Sequence, residues 1–396
     1  MTAAGVGSRL MPTYRRYPLT LVRGGGTRVW DADGRAYLDF AGGIAAMPLG
    51  HSHPAWVRAV TEQAGRLVHV SNLFGTEPQA ALAARLSDLA GFGSVFLANS
   101  GAEANEGALK IARKHGRATG RTRIVTAEGS FHGRTFATLA ATGQPAKQAP
   151  FEPLVPGFTH VPSNDPDALD AAIGRQTAAV LLEPVLGEGG VVPLSPEYLA
   201  TARDLCTERG ALLMFDEVQT GVGRCGDWFA FQRLGVEPDV VTLAKGLGGG
   251  LPIGAVVARE EVAFGPGEHA STFGGGPVPC EGALAVLDAI RDEDLLANCL
   301  ERGAQMVDGL RATNGVGVVD VRGLGLLVGV AFERPVAGDV VRALIRRGFL
   351  ATESGADVVR VTPPLPVGPE EVDAFVTAFP AAAEEAVMES AGRAAR

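Results

Sequence analysis

Short apolar, β-branched runs separated by helix-like stretches recur through the first two-thirds of the chain, and this alternation constrains the fold more than any other feature. The runs are SVFLA (94–98), IVTA (124–127), AAVLL (178–182), ALLMF (211–215), DVVTL (239–243) and AVVA (255–258). Strands apolar on both faces must be covered on both faces, so the pattern predicts an α/β fold with a mostly parallel sheet. The connecting stretches carry helix signals: Ser195-Pro196-Glu197 opens a crossover helix over 197–208 with an N-cap residue followed by proline, and Gly210 closes it. After about residue 280 the texture changes to a helix-like stretch at 281–312, then VVDVRGLGLLVGVAF (318–332), a helix at 338–347, a strand near 358–362 and a helix from Pro369. That order predicts a smaller α+β domain. Two strand-like runs around the DADG turn near the N-terminus read as a hairpin. The expected division is an N-terminal segment (1–50) packing with the small domain, a large domain (51–280) and a C-terminal small domain (281–396) whose Ala/Glu-rich tail from Pro380 frays.

Composition removes several classes. The 396 residues are 46% hydrophobic, enough for a large core, and 35 Lys+Arg against 44 Asp+Glu leave a net charge of −9, which speaks against nucleic acid as a partner. The 53 glycines and 25 prolines suit a chain with many strand-to-helix turns. Cys206, Cys225, Cys280 and Cys299 are far apart with no CxxC pair, so neither a zinc ribbon nor a disulfide framework is indicated. No apolar run approaches the ~18 residues of a membrane span, and MTAAGVGSRLMPTYRRYP lacks the apolar core of a signal peptide. A cytoplasmic protein is the expectation.

Four constellations stand where strands end, the edge at which open parallel sheets place ligands. In NSGAEANEGALKIAR (99–113), Ser100 and Gly101 make the turn and a helix begins near Ala102, offering N–H groups to a phosphate; the same turn would serve equally as a plain helix cap. Phe131-His132-Gly133-Arg134 sets an aromatic plate beside a guanidinium, suited to a flat ring and a carboxylate, or is simply a half-buried loop aromatic. In LLMFDEVQTGVGR (212–224), Asp216 and Glu217 follow an apolar run, where a carboxylate is costly unless it meets a cation or a metal. Surface capping is the bland alternative. In DVVTLAKGLGGGLPIGA (239–255), Lys245 ends a strand beside a loop of small residues; an amine withdrawn from water sheds its proton and becomes a nucleophile, unless it is a salt-bridging core lysine.

Together these groups match an aldehyde cofactor bearing a phosphate and a ring nitrogen, pyridoxal 5'-phosphate. An Asp about 4 Å from the ring nitrogen, at an effective dielectric near 20, contributes roughly 4 kcal/mol, or about three pKa units in favour of the protonated ring.

The series NSGAEANE, FHGRT, EPVLGEGGV, FDEVQTGVGR, AKGLGGGLPIGA and STFGGGP resembles class III (ornithine-type) pyridoxal-phosphate aminotransferases of fold type I, from about residue 15 to residue 380. Within the class, AGGIA (41–45), SNLF (71–74) and VRVTPPL (359–365) are similar to acetylornithine aminotransferases. The resemblance implies Lys245 as the cofactor-bearing lysine and Asp216 as partner of the ring nitrogen. It puts Phe131 and Val218 on the two ring faces, His132 beside the cofactor and Gln219 near the ring hydroxyl. Ser100, Gly101 and Ala102 would hold the phosphate, joined by Thr272 from the neighbouring subunit of a homodimer with shared active sites. Arg360 would bind the α-carboxylate of glutamate or 2-oxoglutarate, Arg134 that of an acylated ornithine with Ser271 nearby, and Glu188 would cover Arg360 when the ω-amine donor is present. The implied reaction moves the ω-amino group of N2-acetylornithine, or a related acylated ornithine, to 2-oxoglutarate, a step of arginine biosynthesis. Succinylornithine, ornithine and 4-aminobutyrate are alternative donors. Three positions depart from the pattern: Gly276 stands for a frequent Asn, Cys225 for Thr and Ala102 for Thr. Ile44 falls where free-ornithine enzymes usually carry Tyr.

Other classes fit less well. Gly221-Val222-Gly223-Arg224-Cys225-Gly226 satisfies GxGxxG, but five residues separate it from its strand, which is the wrong setting for an NAD-dependent oxidoreductase. His51 and His53 form an HxH pair without a carboxylate pattern, so no metal is expected, and His53-Pro54 reads as a helix start. GxSxG is absent, and Lys245 precedes its glycines where a P-loop lysine follows them.

Overall fold

Every residue of the strand Thr177–Leu182 is buried, as a run apolar on both faces requires. The computed structural model describes residues 9–313 and 317–394; residues 1–8, the start of the N-terminal segment, lie outside the described residues. Thr177–Leu182 belongs to a seven-stranded sheet ordered Ser94–Ala98, Gly254–Ala258, Val240–Leu243, Leu212–Asp216, Thr177–Leu182, Arg123–Ala127, Phe158–Val161. The last five pair in parallel. Gly254–Ala258 runs antiparallel to both its neighbours, which leaves six strands pointing one way. Periodicity carries no strand direction, so the reversal is invisible in the sequence, and the half-buried edge strand Phe158–Val161 is not among the runs read from it.

The crossover helix spans Pro196–Arg209, with the Ser195 side chain accepting from Tyr198 N and Gly210 left-handed at φ 64°. The expected stretch 281–312 is instead two helices, Pro277–Asp292 and Leu295–Arg311. Arg291-Asp292-Glu293-Asp294 offers no apolar face to bury, and Asp294 takes φ 50°, a conformation Asp tolerates, to turn the chain.

Near the N-terminus, Leu21–Gly25, Arg28–Asp31 and Ala36–Asp39 form an antiparallel meander, with the Asp31 carboxylate accepting from Asp33 N and Arg35 N across the DADG turn. Its inner strand pairs in parallel with Phe349–Leu350. Phe40 stacks on Phe375 with ring centroids 4.4 Å apart, joining the N-terminal residues to the helix Pro369–Ala394. That helix passes through Pro380 and continues where a frayed tail is expected from the sequence. A further four-stranded sheet is ordered Val318–Leu324, Leu327–Phe332, Val358–Val361, Thr352–Glu353. No helix among the described residues is long and apolar enough to cross a membrane. The four cysteines are free and buried.

Candidate active site

The carboxyl edge of the large sheet opens on a cavity of about 420 Å³. Past strand Ser94–Ala98 the chain turns into the helix Gly101–Arg117, and Ser100 caps it by accepting from Glu103 N at 3.1 Å. Gly101 and Ala102 open the helix, so their N–H groups have no intrahelical acceptor and face an anion-favouring helix end. The approach is tight: a Cβ on Gly101 would lie 2.8 Å from Val218 Cγ1.

Asp216 ends the central strand Leu212–Asp216 and is 3% exposed. One carboxylate oxygen accepts from both Asn105 Nδ2 and His132 Nδ1, each at 2.7 Å, and the other from Val218 N at 3.0 Å. Asn105 in turn accepts from Thr242 Oγ1 at 2.7 Å. The donors hold the carboxylate in place. His132 Nε2 is buried and has no partner among the described residues.

Lys245 follows strand Val240–Leu243 and takes φ 41°, a left-handed conformation that costs a non-glycine residue about 1–3 kcal/mol. Burial, assisted by the Arg360 charge and opposed by Glu188, Glu183 and Asp216, lowers its pKa to about 8. A substantial neutral fraction near physiological pH makes the amine a nucleophile.

Phe131 and Arg134 line the same cavity, with the guanidinium carbon 5.5 Å from the ring centroid. The hairpin Val185–Leu186/Val192–Pro193 projects Glu188. Glu188 Oε1 accepts from Arg360 Nη1 at 2.6 Å. Arg360, from strand Val358–Val361, is almost fully buried; Nη1 also donates to Gly187 O at 2.9 Å and Gln219 Oε1 at 3.3 Å. Burial alone would raise the Glu188 carboxyl, but Arg360, aided by Lys245 and Lys147, lowers it overall.

The cavity thus gathers Ser100, Gly101, Ala102, Phe131, His132, Arg134, Asp216, Val218, Gln219 and Lys245. Glu188 and Arg360 stand behind Gln219. Ser271 lies farther off, its Oγ accepting from Asn99 Nδ2 at 3.1 Å. Thr272 does not join the cavity within one chain; it lines a small separate hollow with Asn72 and Phe74. His51 and His53 turn to different carboxylates, Asp39 at 2.8 Å and Glu293 at 2.9 Å.

Sequence reasoning missed Asn105 and Glu183. Asn105 sits on the buried face of its helix among alanines, a polar residue where apolar periodicity predicts none. Glu183 directly follows an apolar strand, the same signal that singles out Asp216. Its two oxygens accept from Phe131 N at 2.7 Å and Gly187 N at 3.1 Å. Burial raises its carboxyl to about 7, with Asp216 adding to the rise and His132 and the two amides opposing it.

Residues 11–383 match the family model Aminotransferase class-III. The chain is 52% identical over 387 residues to an acetylornithine aminotransferase of Streptomyces coelicolor, covering 97% of this chain and 95% of that protein. It is 51% identical to one from Gloeobacter violaceus, over 92% and 93% of the two chains. Among solved structures, an ornithine aminotransferase from Toxoplasma gondii superposes with a TM-score of 0.91 at 34% identity, covering 96% of this chain and 94% of that one. An N-acetylornithine aminotransferase from Stenotrophomonas maltophilia gives 0.82 at 37%, covering 97% and 98%. A strand-end lysine, a clamped aspartate and a free helix end around one cavity, with near-complete coverage by these relatives, place the chain in the class-III aminotransferase family.

Proposed function

We propose that this enzyme moves the ω-amino group of N2-acetylornithine to 2-oxoglutarate with pyridoxal 5'-phosphate, giving the semialdehyde and glutamate in arginine biosynthesis. The cavity residues fit the cofactor. Its phosphate suits the N–H groups of Gly101 and Ala102 beside Ser100, and its flat ring suits the slot between Phe131 and Val218. Asp216 holds the proton on the ring nitrogen, and His132 keeps Asp216 oriented while its buried Nε2 still needs a partner. Gln219 serves the ring hydroxyl. When bound, the cofactor supplies an electron sink for carbon–hydrogen bond cleavage beside the transferred nitrogen.

In this reading Lys245 would hold the cofactor at its aldehyde carbon, and its amine, when not so engaged, would serve as the group that accepts and returns a proton. Arg134 holds the α-carboxylate of the acylated donor, with Ser271 nearby. The observation that carries the substrate class is the Glu188–Arg360 pair: a buried arginine covered by a carboxylate accepts a donor that presents only a distal amine, and the same arginine uncovered accepts 2-oxoglutarate. Ile44, two residues before Ala46 of the cavity wall, stands where free-ornithine enzymes usually carry Tyr, which supports an acylated donor.

The same reading includes a homodimer in which a second copy of the chain supplies Thr272 to the phosphate; the exposure of Thr272 and Phe273 supports it. It also groups residues 1–50 with 281–396, supported by the pairing of Ala36–Asp39 with Phe349–Leu350, around a cofactor-binding domain at 51–280. Four buried free thiols fit the reducing cytoplasm. Steady-state kinetics with N2-acetylornithine, N2-succinylornithine, ornithine and 4-aminobutyrate test the substrate. The highest kcat/KM is expected for N2-acetylornithine, and a higher value for any of the other three overturns the assignment.

A further inference from the structure

Glu188 is shared between two cations. Its Oε1 is hydrogen-bonded to Arg360, and its Oε2 lies 3.8 Å from Lys147 Nζ, close enough for charge attraction but beyond a directional bond. The seats differ in depth: the Arg360 side chain is 2% exposed and that of Lys147 24%.

Lys147 is placed with care for so short an element. It sits in the helical turn Pro145–Gln148. The Gln144 side chain donates to Gly129 O and Ser130 O, and the Gln148 side chain donates to Leu139 O, Ala140 O and Thr142 O. Gln144 ties the turn to the loop that carries Phe131 and Gln148 ties it to the end of the helix Phe136–Ala141, and Lys147 Nζ rests 4.8 Å from the Phe131 ring centroid. Burial lowers the Lys147 pKa, with Arg134 and Arg360 adding to the fall and Glu188 and Glu183 opposing it. A lysine held among arginines and half withdrawn from water lacks a full counter-charge.

We propose that Lys147 is the second seat of the Glu188 carboxylate, receiving it when a dicarboxylate substrate takes Arg360, and so sets the balance between the two half-reactions. The inference rests on the Glu188–Arg360 exchange proposed above. A carboxylate leaving one buried cation needs another within a side-chain rotation, and among the described residues Lys147 is the cation that its second oxygen already approaches. Lys147 is then a positioning residue, acting through Glu188.

Stopped-flow measurement of each half-reaction tests this with Lys147→Met, Lys147→Arg, Glu188→Ala and the Lys147→Met/Glu188→Ala double variant. Lys147→Met is expected to raise KM for 2-oxoglutarate about tenfold relative to KM for N2-acetylornithine, leaving kcat within about threefold. Lys147→Arg should recover most of the ratio. Calorimetric titration with glutarate, which has the two carboxylates but no amine or ketone, should show the same loss in Lys147→Met. The double variant should show no further loss beyond Glu188→Ala, because the seat has no occupant. Equal effects on both half-reactions, a loss confined to the acylornithine half, or an undiminished Lys147→Met effect in the Glu188→Ala background overturns the proposal. If Glu188→Ala itself fails to separate the half-reactions, the exchange reading falls; if it separates them and Lys147→Met is silent, only the second seat falls.

Discussion

The lowered pKa of Lys245 is testable without cofactor or turnover. A lysine amine with an ordinary pKa of 10.5 is neutral in only about one molecule in 3,000 at pH 7, whereas at a pKa of about 8 the neutral share is about one in eleven, a gain of roughly 300-fold. Trace acetylation of the apo-protein between pH 6 and 11, with the Lys245 peptide quantified by mass spectrometry against a lysine model peptide, reads the neutral fraction directly. The midpoint is expected near 8. Its causes give opposite signs for two variants. Glu188 raises the Lys245 pKa, so Glu188→Gln should move the midpoint down; Arg360 lowers it and neutralises Glu188, so Arg360→Gln should move it up, each by about one unit. A midpoint near 10.5, or both variants moving it the same way, refutes the argument that burial and the Arg360 charge prepare the nucleophile.

Asp216→Asn should leave the apo-protein folded by circular dichroism while turnover falls about a thousandfold, the equivalent of roughly 4 kcal/mol lost at the ring nitrogen. Glu217, buried and accepting from Ala230 N at 2.7 Å and Phe231 N at 2.8 Å, has its pKa raised to about 7 by burial. Its folded-state pKa exceeds its unfolded one, so its stabilisation is complete below about 4.5 and is lost as pH rises through 7. Urea unfolding should therefore show a shallower fall in stability from pH 5 to 7 in Glu217→Gln than in the parent, and parallel curves would sink the assignment. Mixing inactive Lys245→Ala with an inactive Thr272→Val variant should restore activity if sites are shared between copies, and an active monomer by light scattering would exclude sharing.

The strand ends were legible because a charged residue after a run apolar on both faces has few other reasons to be there. That rule finds Asp216 and Lys245, and applied without exception it finds Glu183 as well. Asn105 is harder. Its position on a helix reads as a flaw in an apolar stripe until the strand carrying Thr242 and the strand carrying Asp216 are seen on either side of it. Strand order lies beyond any local reading, since Gly254–Ala258 has the same texture as its parallel neighbours yet runs against them. The Glu188–Arg360 contact joins residues 172 apart through a hairpin and a separate sheet. Resemblance, not spacing, made that pair an expectation. Lys147 was missed because nothing local marks it: its meaning depends on Glu188 and Phe131 converging on one amine.

The charge inventory around the cavity gives a physical reason for an acyl group on the donor. Arg134, Lys245, Asp216 and Glu183 line it, and the Glu188–Arg360 pair with Lys147 stands beside them. Asp216 is engaged by its protein donors, while Glu188 is engaged by Arg360. Glu183 is spent on two backbone amides. Each of these three carboxylates thus has a partner before a second ammonium on the substrate arrives. In the proposed pose the α-carboxylate of the donor lies against Arg134, which leaves any α-ammonium next to that guanidinium and near Lys147, where like charges repel in a partly desolvated space. Acylation turns that ammonium into a neutral amide and removes the repulsion, while the ω-amine still reaches Lys245. In the proposed pose, discrimination against free ornithine needs no steric wall: it follows from the engagement of Asp216, Glu183 and Glu188 before the substrate arrives.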